Sequence, residues 1–110
     1  MAFDDTLAGR IRRVLAPRRG ITEKRMFGGL AFLLDGKMFC GLTKDDLMAR
    51  VGPEAYTQAL AEPHARPMDF TGRPMNGYVF VAVKGLGRDT VLARWVNQCA
   101  DFVKTVEKKR

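Results

Sequence analysis

Few side chains in this sequence are suited to chemistry, and each must be judged by its company. His64 is the single histidine and lies in a proline-punctuated polar stretch, Glu62-Pro63-His64-Ala65-Arg66-Pro67. A general base needs a partner that orients it, and the flanking residues offer none, so His64 reads as a solvated loop residue. Asp45 and Asp46 form a carboxylate pair, but they follow Lys44 where a tight turn is expected, and aspartate is favoured there for local hydrogen bonding. With no second histidine and no further carboxylates at ligand spacing, no metal site is expected. Cys40 and Cys99 fall at apolar positions of a strand and a helix, where free cysteine acts as a small hydrophobe. A redox pair would require the two thiols to meet across the sheet–helix interface. Gly28-Gly29 is not followed by the Gly-Lys-Ser/Thr of a phosphate loop. Gly85-Leu86-Gly87 lacks the third glycine of a dinucleotide fingerprint and reads as a turn. No catalytic residue, metal or cofactor is assigned, and a non-enzymatic protein is expected.

The element that must position everything else is the run Met26 to Leu42, in which Asp35-Gly36 separates two apolar segments. This dipeptide readily takes the positive φ angles of a type I′ turn and predicts an antiparallel hairpin. Counting outward pairs Leu34 with Lys37, Leu33 with Met38, Phe32 with Phe39 and Ala31 with Cys40. A second tight turn at Lys44-Asp45 then pairs Leu42 with Leu47, Cys40 with Ala49 and Met38 with Val51. One face carries Phe27, Gly29, Ala31, Leu33, Met38, Cys40, Leu42, Leu47, Ala49 and Val51; free of charge, it is the expected core face. The opposite face carries Leu30, Phe32, Leu34, Phe39 and Met48 beside Lys37 and Arg50. That is too apolar for a face meant only for water. Leu30, Phe32, Phe39, Met48 and Arg50 are therefore the candidate surface for a partner or a second copy.

Around this hairpin the remaining elements follow in order. Residues 4 to 15 show apolar positions at Leu7, Ile11, Val14 and Leu15, with Asp4 or Asp5 as cap, and predict an amphipathic helix. Ile21 to Arg25 lead into the hairpin. Pro53 opens a short helix through about Leu60, Glu62 to Pro67 read as loop, Asp69-Phe70 as a brief optional strand, and Thr71 to Pro74 as a turn. Tyr78 to Val83 is a strand by its β-branched and aromatic content. Asp89 is placed as the cap of a last helix whose stripe is Val91, Leu92, Trp95, Val96, Cys99, Phe102, Val103 and Val106. The order α-β-β-β-α-(β)-β-α makes a two-layer α+β sandwich, an antiparallel sheet with helices on one face. The 110 residues are expected to form a single domain, residues 1–110.

Charge supplies the other functional signal. The formal net charge is +7, with Arg10, Arg12, Arg13, Arg18 and Arg19 clustered after the first helix and Lys104, Lys108, Lys109 and Arg110 at the end of the last. Arg10, Arg12, Arg13, Arg18, Arg19, Lys108 and Lys109 are the candidate contacts for nucleic acid, with weak, sequence-independent binding expected. The plainer reading is that cations collect at helix C-termini, where the macrodipole favours them. No apolar run is long enough to span a bilayer and no leader is evident, so a cytoplasmic, reduced protein without membrane contact is expected.

Three ordered motifs add a resemblance: Arg25-Met26-Phe27-Gly28-Gly29, Leu34-Asp35-Gly36-Lys37-Met38-Phe39 and Gly72-Arg73-Pro74-Met75-Asn76-Gly77-Tyr78. Together they resemble the N-terminal domain of TfoX/Sxy proteins over nearly the whole chain. The resemblance implies a secretion-chaperone-like α+β fold, often dimeric, and a regulatory role without catalytic residues. The family's named members regulate natural competence, which implies contact with the transcription machinery. A stand-alone N-terminal domain is expected, since 110 residues leave no room for the helical domain that follows in those regulators.

Overall fold

The computed structural model describes residues 5–26, 28–68 and 76–106. Along the chain run α1 (Asp5–Leu15), β1 (Ile21–Met26), β2 (Gly29–Leu34), β3 (Lys37–Leu42), β4 (Asp46–Arg50), α2 (Tyr56–Leu60), β5 (Ala65–Pro67), β6 (Tyr78–Ala82), a 3-10 turn (Val83–Leu86) and α3 (Asp89–Lys104). The strands form one six-stranded antiparallel sheet in the order β1-β2-β3-β4-β6-β5. All three helices bury their apolar residues in the same core: Leu7, Ile11 and Leu15 of α1, Ala59 of α2, and Leu92, Trp95, Val96, Cys99 and Val103 of α3. The fold is thus α+β, with its helices on one face of the sheet. No helix among the described residues is long and apolar enough to cross a membrane.

The Asp35-Gly36 turn forms as its residue types dictate, with φ of 51° at Asp35 and 82° at Gly36. Leu34 faces Lys37 and Leu33 faces Met38 across it. Beyond that point the register slips, so that Phe32 faces Cys40 and Ala31 faces Gly41, leaving Phe39 as an extra residue in β3. This is a β-bulge, which sets two residues of one strand against a single residue of the other. Its cause is a conflict of parity. Simple alternation puts Phe32 and Phe39 on one face and Cys40 and Leu42 on the other, yet all four belong with the helices. The bulge brings Phe39 and Cys40 together into the core, both fully buried.

The bulge corrects the faces expected from simple alternation. Leu30, Phe32, Leu34 and Phe39 lie under the helices with Cys40, Leu42, Leu47, Ala49 and Val51. Ala31, Leu33 and Met38 turn to the opposite, outer face, with Gly41, Met48 and Arg50. The leucines and phenylalanines of β2 and β3, Leu33 apart, thereby fill the layer between sheet and helices, and Ala31 and Gly41 face outward. From the second turn onward the expected register holds: Leu42 faces Leu47 and Cys40 faces Ala49. The Thr43 amide donates to the Asp46 carbonyl at 2.9 Å across that turn.

Other differences are local. Ile21 to Met26 is a full edge strand rather than a lead-in, packing Ile21 against the core. Ala65–Pro67 is the short outer strand on β6, where a loop was expected; its proline is tolerated because this is a sheet edge. Asp89 is the first residue of α3 rather than its cap; Arg88 occupies the cap position without a capping side-chain bond. The Asp89 carboxylate instead accepts from Arg10 Nε at 3.0 Å, tying α3 to α1. Asp4, Phe27, the strand at Asp69-Phe70 and the turn from Thr71 to Pro74 lie outside the described residues.

Candidate functional site

The chemically capable residues are His64, at the surface, and the two cysteines, in the core. His64 is exposed at a φ of 69°, and its carbonyl accepts from the Ala82 amide at 3.0 Å, so its backbone anchors β5 to β6. Its ring lies against Gly85, where an added Cβ would meet it at 2.5 Å. Cys40 and Cys99 are both free and buried, on facing elements of the core. Burial pushes the Cys40 thiol well above its usual range and the Cys99 thiol up to about 12, so neither supplies a thiolate at neutral pH. No group of three or more His, Cys, Asp or Glu among the described residues could hold a metal ion.

Asp46 was legible as a turn residue, but its actual role escaped sequence reading. It is buried at the start of β4, and Arg66 of β5 holds both its oxygens at 2.8 and 2.7 Å. The Arg66 guanidinium also lies over the Phe80 ring, 5.1 Å from its centre. The pair satisfies a carboxylate buried on the outer face and fastens the short edge strand.

The arginine cluster is largely consumed within the molecule. Arg10 pairs with Asp89 and also donates to the Gly87 carbonyl. Arg12 grips Glu23 with two bonds of 2.7 and 2.8 Å, which hold that carboxyl below its usual range. Arg18 reaches Asp101 at 2.8 Å and the Asn97 side chain at 3.0 Å. Arg13 and Arg19 remain exposed near the C-terminal end of α1, while Lys108 and Lys109 lie outside the described residues. Arg10, Arg12 and Arg18 of the five clustered arginines are thus paired with carboxylates of the same chain.

The outer face offers a defined site. Phe80 packs there with Met48 and Met68, all three buried, and the partly buried Met38 and Tyr78 pack against them. Arg50 spans one end, donating to the Met38 carbonyl at 3.4 Å and lying 5.7 Å from the Tyr78 ring centre. Beside this cluster is a shallow, open apolar hollow of about 30 Å³, lined by Met26, Ala31, Met38, Gly41, Thr43 and Met48 and bordered by Leu30 and Leu42. Its floor is low because Ala31 and Gly41 sit opposite each other on neighbouring strands, and Met48 faces Gly41 from the next. Flexible, polarisable thioether side chains around small residues suit an adaptable apolar contact.

Of the five residues expected at a contact surface, Met48 and Arg50 are on this face. Phe32 and Phe39 are removed from it by the bulge, both with exposures of 0%, while Leu30, 5% exposed and packed in the core, still borders the hollow. The residues that replace them are Met26, Ala31, Met38 and Gly41. The signal that finds them is the parity conflict itself: Phe39 and Cys40 are adjacent, yet both are core residues by type.

No curated protein and no solved structure matches the chain. A family model, that of the TfoX N-terminal domain, matches residues 13–103. The match spans the whole sheet and the helices from the end of α1 nearly to the end of α3, and on that coverage the chain belongs to the TfoX N-terminal domain family.

Proposed function

We propose that this protein is a non-enzymatic regulatory or adaptor domain of the TfoX type, acting through protein–protein contact at the outer face of its sheet. The observation that carries this reading is the methionine-lined hollow on a face that, among the described residues, no helix covers, the described helices packing on the opposite side. A shallow hollow floored by Ala31 and Gly41 and ringed by flexible methionines offers an adaptable apolar seat for the tip of a side chain from outside. The buried, proton-holding thiols and the exposed, isolated His64 give acid–base or nucleophilic chemistry no assembled centre. By family, the partner belongs to the machinery of gene expression, with competence genes as the regulated set. The protein works in the cytoplasm on this reading, where its thiols stay reduced.

Affinity capture from cells of the native host tests it. Wild-type protein is compared with Met48→Asp on the outer face and Arg94→Ala on the helix side. Partners retained by wild type and Arg94→Ala but lost from Met48→Asp support the reading. Partners retained equally by all three overturn it.

A further inference from the structure

The charges around the hollow indicate what enters it. Lys24 faces Ala31 directly across β1 and β2, so it stands on the outer face beside the floor of the hollow. Thr43 lines the opposite part, and Lys44 follows it in the turn. Both lysines are exposed and make no ion pair among the described residues. Within the strands, the outer face carries the cations Lys24, Arg50 and Arg66 against the single carboxylate of Asp46. Arg66 already occupies that carboxylate. Asp45 belongs to a neighbouring hollow that it shares with Arg66 and Lys84. The methionine hollow is therefore an apolar recess with exposed lysines near it and, among the described residues, no carboxylate in its lining.

We propose that this recess takes an apolar anchor residue from an acidic amphipathic segment of another protein, with carboxylates beside the anchor meeting Lys24 and Lys44. The inference rests on the outer face being a protein-contact surface and adds the chemistry of the partner. Apolar burial supplies the affinity, and the lysines supply selection, because a basic segment would bring like charges together at the rim. The same selection disfavours a second copy of this chain. A two-fold contact through this face would bring its net positive charge against itself.

The test uses the full chain with methyl-labelled methionines, observed by NMR. Three synthetic amphipathic helical peptides share one leucine face and carry Glu, Gln or Lys at every polar position. The Glu peptide is expected to shift the methyls of Met26, Met38 and Met48 and to bind at least about tenfold tighter than the Gln peptide. The Lys24→Glu, Lys44→Glu double variant, altered only at exposed positions, should lose that advantage and bind the Gln peptide unchanged. Ala31→Leu, which raises the floor of the hollow, should weaken both peptides. Equal binding of Glu and Gln peptides through the same methyls overturns the acidic partner but leaves the contact face standing. Failure of the Glu peptide to move those methyls overturns the proposal. So does their movement on concentrating the protein alone, which would assign the recess to a second copy. An oligonucleotide that shifts them in place of the Glu peptide would likewise overturn it.

Discussion

The two faces of the sheet are built from different vocabularies. Under the helices lie Leu30, Phe32, Leu34, Phe39, Leu42 and Leu47, a layer of branched and aromatic side chains that exclude water almost completely. On the outside, beside the Phe80 cluster, Ala31 and Gly41 lie among Met26, Met38 and Met48, and there the surface dips. Both faces are apolar, so hydropathy alone does not rank them. The difference lies in shape. Stiff, voluminous residues fill a space of fixed geometry, whereas small residues ringed by methionine leave room that can adapt to a visitor.

The strongest way to break this comparison is to attack Phe32. If it sits at the centre of the covered layer, Phe32→Ala should cost about 3–5 kcal/mol of folding stability, and Phe32→Asp should prevent folding outright. Equilibrium urea unfolding followed by circular dichroism reads both. A folded, near-wild-type Phe32→Asp protein would return this residue to the surface, as unbulged alternation expects. Next in size is the sealing of the same layer. Cys40 and Cys99 should react with a thiol reagent far more slowly in the native protein than in urea, because both are buried with raised thiol pKa values. Rapid native labelling of either would show that water reaches the core.

The secondary structure could largely be read from residue types, because each turn announces itself locally. Asp35-Gly36 and Lys44-Asp45 set the strand boundaries, and the stripe from Val91 to Val106 marks α3. The faces could not be read the same way. A single inserted residue at Phe39 reverses the side on which β2 stands relative to the second half of β3, and that insertion is decided by tertiary volume. The candidate site depends on those faces, so of the five expected residues Met48 and Arg50 stand on the outer face, Leu30 borders the hollow from the core, and Phe32 and Phe39 are buried beneath the helices. Asp46 with Arg66 was hidden for a related reason: β5 lies where two prolines argue for a loop, and only its pairing with β6 brings the guanidinium to the carboxylate.

Smaller effects sharpen the contrast on the open side. Arg66→Ala leaves the buried Asp46 carboxylate without its donor. Because the Arg66 side chain is half exposed, the cost should be about 1–2 kcal/mol, with the edge strand β5 losing amide protection first. Hydrogen exchange at Ala65 and Arg66 checks this. Smaller still is the Arg12–Glu23 pair at the other edge. Its bonds lower the Glu23 pKa in the folded state, so their contribution is complete above the unfolded value near 4.5 and fades as pH falls through the folded one. Both partners are partly exposed, which limits the effect to under about 1 kcal/mol. Glu23→Gln should therefore lower the thermal midpoint slightly at neutral pH, and the gap from wild type should close in acid. A gap that widens in acid would contradict the assignment.

The most direct test of the central claim uses two neighbours in β3. Met38 and Phe39 are consecutive, yet one lines the open hollow and the other lies fully buried under the helices. Met38→Asp and Phe39→Asp are compared in one urea titration, with partner capture measured on whatever remains folded. The account predicts that Met38→Asp keeps a cooperative transition and loses capture, while Phe39→Asp has no folded baseline at all. A folded Phe39→Asp protein, or a Met38→Asp protein that still captures every wild-type partner, would contradict it.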